Sequence, residues 1–225
     1  LLRPVMRDAL KGAGEISELD ARANALATLA PHLPSDLLLP AMQDALQAAG
    51  EISDPGAHAL ALAVLAPHLS SDLLPSALQT ADEISDPGAR AYALAALAPH
   101  LPSDLLLPVM QDAFQAVGEI SESYARARAL AALAPHLPPD LLLSALQDVL
   151  QSVVKRSTPR QLARALAALA PHLPSDLLLS ALQNAGEISD PGARARALTA
   201  LAPHLPPDLL RPVMRDALKG AGEIS

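Results

Sequence analysis

The chain has no cysteine and no tryptophan. Without thiols there is no disulfide framework, no thiolate metal site and no cysteine nucleophile. Aromatic residues are 1% of the 225, namely Tyr92, Phe114 and Tyr124. So few rings do not build an aromatic-rich sandwich or barrel. The core has to come from Ala and Leu, which suits closely packed helices. Positive charge is also scarce. Sixteen Lys and Arg face 24 Asp and Glu, a net charge of −8 with a pI near 5.2. That balance argues against a general nucleic-acid binder. No apolar run reaches membrane-spanning length without a proline or a charge, so membrane insertion is not expected. No signal-peptide pattern opens the chain at Leu1, which reads as an internal segment, and no compartment is indicated.

What is present is repetition. Ala-Pro-His recurs with its histidine at 32, 68, 100, 136, 172 and 204, in steps of 36 or 32 residues. A fixed period of this size marks a helical repeat array. Three steps make a longer period of 104, and residues 1–17 match 105–121 at 11 of 17 positions. Blocks 1–104 and 105–208 therefore read as a duplication of a three-repeat unit. Residues 209–225 are identical to 1–17. The expectation is one 208-residue unit plus a one-helix overlap, either a window on a longer array or a deliberate overlap.

Each repeat reads as a helix pair. Asp86 is a natural N-cap, and Pro87 and Gly88 open helix A, where Leu94, Leu97 and Leu101 form an apolar stripe. Pro99 and Pro102 bracket the turn to helix B. Asp36, Asp72, Asp104, Asp140, Asp176 and Asp208 are expected to cap the B helices, and Gly118 to supply a C′ residue, with Ile120 folding back on the helix end. The shorter repeats lack four residues, about one helical turn, so helix B keeps its apolar face in phase. The segment 153–160 departs from the pattern, replacing the usual Gly-Glu-Ile-Ser-Asp-Pro-Gly turn.

These features predict an all-α fold: an open α-solenoid of antiparallel helix pairs forming one domain over 1–225, with six A helices and seven B helices. The Leu-Ala-x-Leu-Ala-Pro-His-Leu-Pro-x-Asp-Leu-Leu core resembles the two-helix repeats of bacterial HEAT-like and TPR-like α-solenoids. That resemblance implies a right-handed array that binds proteins or scaffolds assemblies. Similar arrays are appended to signalling ATPases as sensor arms, although no ATPase motif is present in this chain.

The candidate chemistry is sparse. The histidines form a ladder, and ligands one helix pair apart cannot converge on one ion, so no metal and no cofactor are expected. Their expected role is to bond open carbonyls at helix ends, with the seventh, His58, on a solvated face. Ser, His and Asp surround each A-to-B turn, but Pro139 and Pro207 replace the Ser in two repeats, and no nucleophile elbow or phosphate loop occurs. The reading is therefore non-enzymatic. Arg22, Arg90, Arg126, Arg128, Arg164, Arg194 and Arg196 fall early in helix A. They are expected to pair with carboxylates such as Asp112, Glu119 or Glu187, and otherwise make a ridge for an acidic partner. A partner is not periodic, so Tyr92, Phe114, Tyr124 and the irregular 153–160 turn are candidates for its patch, and Arg90, Tyr92, Tyr124, Arg126, Lys155, Arg156 and Arg160 are the possible partner surface of a protein-interaction scaffold. A further alternative is the sensor arm of a larger signalling ATPase; the first alternative is a self-assembling filament or ring. Its contact residues would be Arg3, Arg7 and Lys11, one helix face at one end, and Arg211, Arg215 and Lys219 at the other.

Overall fold

A computed structural model describes residues 2–206, and these are helical with no strand among them. The helices in chain order are α1 (Leu2–Gly14), α2 (Leu19–Leu29), α3 (Ser35–Gly50), α4 (Pro55–Leu65), α5 (Leu74–Asp82), α6 (Pro87–Leu97), α7 (Ser103–Glu119), α8 (Ser123–Leu133), α9 (Pro139–Arg156), α10 (Pro159–Leu169), α11 (Ser175–Gly186) and α12 (Pro191–Leu201). Even numbers are A helices and odd numbers B helices. The B helix expected at 209–225 lies outside the described residues. The chain divides into two compact units, 1–116 and 117–225.

Every A helix is 11 residues long. Asp54, Asp86 and Asp190 begin theirs as expected, each carboxylate accepting from the N–H three residues on at 2.7 Å. Glu122 does the same for α8, accepting from Tyr124 and Ala125 N–H. The common stop is Ala-Pro-His. Proline has no N–H to continue the α-helical ladder, so the chain tightens into one 3₁₀ turn, as at Ala98–His100. Leu101 N–H closes that turn on the Ala98 carbonyl at 3.2 Å.

The B helices start differently from the sequence reading. Asp36, Asp104 and Asp176 lie in the first turn and are not caps. Pro34 and Pro174 hold the cap position in extended conformation, with ψ 151 and 160. The Pro34 carbonyl accepts from Leu37 and Leu38 at 2.9 and 3.0 Å. The physical reason is that Leu-Pro is already extended, so the helix opens one residue earlier and Asp becomes its second residue. There the carboxylate still faces the positive helix end. Asp140 takes the same backbone place in α9. Asp72 does not, because Ser70 replaces the capping proline and Pro75 arrives a residue early, so α5 begins only at Leu74. Asp208 lies outside the described residues.

The B helices also end differently. Gly118 is inside α7, which runs to Glu119, and no described glycine has positive φ. The left-handed cap is not used. Instead Glu51, Glu83 and Glu187 stay right-handed after their helices, and the next isoleucine donates to the carbonyl three residues back, as Ile84 does to Ala81 at 3.2 Å. Ile84, Ile120 and Ile188 are buried. The exit is thus set by where the isoleucine anchors, which leaves glycine no special backbone duty. Helix lengths of 16 residues for α3 and 12 for α11 show the one-turn deletion. In 153–160 the missing turn residues let α9 extend to 18 residues, with Val153 buried. Thr158 then opens α10 in a capping box with Gln161.

The core is Ala and Leu. Leu26, Leu62, Leu94, Leu130, Leu166 and Leu198, in one register of the A helices, are all buried, as are the small Ala59, Ala91, Ala127 and Ala163. Small residues let neighbouring helices approach to about 8–10 Å. In the first unit α2 packs on α4 and α4 on α6; in the second, α8 packs on α10 and α10 on α12. The B helices pack against the A helices on one side, as α3 does on α2 and α4, and α9 on α8 and α10. One edge of each A helix stays open to solvent.

Candidate partner-binding face

Two registers of helix A carry the polar chemistry, and they behave oppositely. The first, four residues after the cap, holds Arg22, His58, Arg90, Arg126, Leu162 and Arg194. It turns back into the protein. Arg126 donates from Nε and Nη2 to the Ile120 carbonyl at 2.8 and 2.5 Å, and Arg194 from Nη1 to that of Ile188 at 3.4 Å. Arg22 forms an ion pair with Asp44 of the following B helix. Arg90 is half-buried and engaged as well. Near it, burial and then the Asp112 charge raise the Asp82 pKa, while Arg90 lowers it. The expected carboxylate partners are therefore only part of the answer, since loop carbonyls take two of these guanidinium groups.

His58 corrects the sequence reading. It is buried, at 4% exposure, and not on a solvated face. An imidazole is shorter than the arginine side chains that span to a loop carbonyl or carboxylate from this register, and it stays among the packed helices. Its Nε2 has no hydrogen-bond partner. Burial holds its pKa below 6.5, opposed by the Glu83 charge.

The second register, two residues further, holds Asn24, Leu60, Tyr92, Arg128, Arg164 and Arg196. All six are exposed. In the first unit the central pair is apolar, with Leu60 52% and Tyr92 45% exposed. In the second unit all three are arginine. Here two of them share the Tyr124 ring, with the guanidinium carbons of Arg128 and Arg164 each 6.0 Å from its centre. Next to it a cavity of 350 Å³ opens between the N-terminal halves of α10 and α12, lined by Arg160, Arg164 and Arg196 with Asp190. The carboxylates within reach have other duties. Asp190 caps α12, and Glu122 caps α8 while accepting from Gln161 Nε2 at 3.1 Å. No ion pair of Arg128, Arg160, Arg164 or Arg196 forms among the described residues.

Of the residues singled out from sequence, Tyr124 and Arg160 thus each neighbour Arg164, and Tyr92 is exposed at the equivalent register of the first unit. Arg126 is held by Ile120. Lys155 lines a separate cavity of 530 Å³ between α9 and α11, where the longer helix overhangs the shorter. The Arg156 side chain lies outside the described set. At the amino end Arg3 pairs with Asp36 at 3.8 Å and Lys11 with Glu15 at 4.0 Å, while Arg7 is exposed. Arg211, Arg215 and Lys219 lie outside the described residues. The ladder histidines sit on the 3₁₀ turns, half-buried or exposed. Burial, then the His204 charge, lowers the His172 pKa. Among the described residues no three His, Asp or Glu are placed to hold a metal, and no helix is long and apolar enough to cross a membrane. The sequence reading grouped all helix A arginines together. The two-residue offset between registers is the signal that separates the inward-turned, half-buried arginines from Arg128, Arg164 and Arg196.

No protein-family model matches the chain, and no curated protein or solved structure shows detectable similarity to it.

Proposed function

We propose that this chain is a non-enzymatic protein-interaction scaffold, a segment of an open α-solenoid of antiparallel helix pairs. One observation carries the reading. The core register of helix A repeats Leu in every unit, while the exposed register beside it changes from Asn, Leu and Tyr to three Arg. Packing alone does not require that divergence, and a non-periodic partner would. Exposed Leu60, Val64 and Tyr92 of the first unit supply an apolar anchor of the kind that dominates binding energy, and the exposed arginines of the second unit supply charge for orientation.

A photo-crosslinking residue placed at Tyr92 tests this, with Gln43 on helix α3 as the comparison site. Discrete adducts with a defined protein are expected from position 92 and not from 43. Equal or absent labelling at both sites would overturn the reading.

A further inference from the structure

We propose that the arginine row of α8, α10 and α12 holds an acidic peptide segment in polyproline II conformation, with a carboxylate at every third residue. This deepens the scaffold reading and rests on it. The row consists of Arg128, Arg164 and Arg196, one per A helix, with Arg160 beside the last two. Their shared environment favours an anion for three reasons. The guanidinium groups are exposed and have no carboxylate partner among the described residues. The neighbouring acids Glu122 and Asp190 accept helix-opening N–H bonds and form no ion pair with these arginines. The Arg128 and Arg164 guanidinium carbons each lie 6.0 Å from the centre of the same Tyr124 ring, so two like charges share one aromatic contact. An anion relieves that repulsion, and a preorganised guanidinium loses little freedom when it binds one.

Spacing selects the form of the anion. Small-residue packing sets neighbouring A helices about 8–10 Å apart, so the backbone positions from which the row projects repeat at about that interval. Polyproline II has three residues per turn and rises about 3.1 Å each, which places every third side chain on one side about 9 Å apart. A flat β-strand alternates its side chains, so residues three apart point to opposite faces. A continuous run of carboxylates crowds charge where the row has gaps. The chain's net charge of −8 disfavours nucleic acid as the occupant, because the rest of the surface repels a long polyanion.

The test uses the full chain and two fluorescent peptides of equal composition. One repeats Glu-Pro-Pro; the other gathers its glutamates in one block. Fluorescence anisotropy at low ionic strength should show the repeating peptide binding about ten-fold tighter, with affinity falling as salt is added. Arg128→Gln, Arg164→Gln and Arg196→Gln should each weaken it about three- to ten-fold. Arg7→Gln, on a different helix face, should leave it unchanged. Circular dichroism checks that each variant folds, and the variants that do fold carry the test. Equal affinity for the two peptides, unaltered binding by all three variants, or tighter binding of a poly(U) strand would overturn the proposal. If the peptide fails while position 92 still yields discrete adducts, only the acidic occupant is lost. Failure of both removes the scaffold reading as well.

Discussion

A single substitution can change what a register does. At the fourth position after the helix A cap, arginine reaches back to a loop carbonyl or a carboxylate, while histidine at the same place is buried without a partner for Nε2. That difference has a pH signature. Burial lowers the folded-state pKa of His58 below 6.5, so the unfolded chain takes up the proton first as the pH falls. Stability is therefore intact above that value and declines as the pH drops through it. The urea midpoint should be lower at about pH 5.5 than at about pH 7.5. His172 shifts in the same direction, so His58→Leu should reduce this slope without removing it. An unchanged slope would show that His58 does not carry it.

At the scale of the element, glycine and isoleucine divide the work of ending helix B in an unexpected way. Gly118 is helical, and a Cβ added there meets nothing within 4 Å. Gly118→Ala should accordingly stabilise the protein by about 0.5–1 kcal/mol, since alanine loses less conformational freedom in a helix. A left-handed cap would give the opposite sign, so the melting temperature of this variant decides between the two exits. The helix lengths carry a related lesson. Deleting one turn preserves the buried face of α11, whereas moving one proline and losing another shortens α5 further, to 9 residues. Local backbone chemistry, not the number of residues between repeats, fixes where these helices begin.

At the scale of the whole molecule, the two binding readings differ in what concentration does. A scaffold for another protein should keep a mass near 23.3 kDa by light scattering across a concentration series. A mass that climbs, or settles at one multiple, would favour assembly through the matching sequences 1–17 and 209–225. Addition of salt separates the causes. Contacts made by exposed arginines weaken as ionic strength rises, and contacts made by Leu60, Val64 and Tyr92 do not.

Much of the fold was legible in the residues alone. The Ala-Pro-His stop, the Asp86 type of cap and the one-turn deletion each follow from backbone chemistry within a few residues, and such local rules can be read without the rest of the chain. The helix B start was misread by one residue because proline and aspartate both suit the place, and the extended Leu-Pro step decides it. The sites were less legible. That Arg126 faces inward and Arg128 outward depends on which edge of helix A its neighbours cover, and burial of His58 depends on the helices packed around it. Sequence by itself determined the described helices, their order and the punctuation of helix A. Only the tertiary structure decided which arginines remain free to meet another molecule, because exposure belongs to the packing of several helices and not to any one of them.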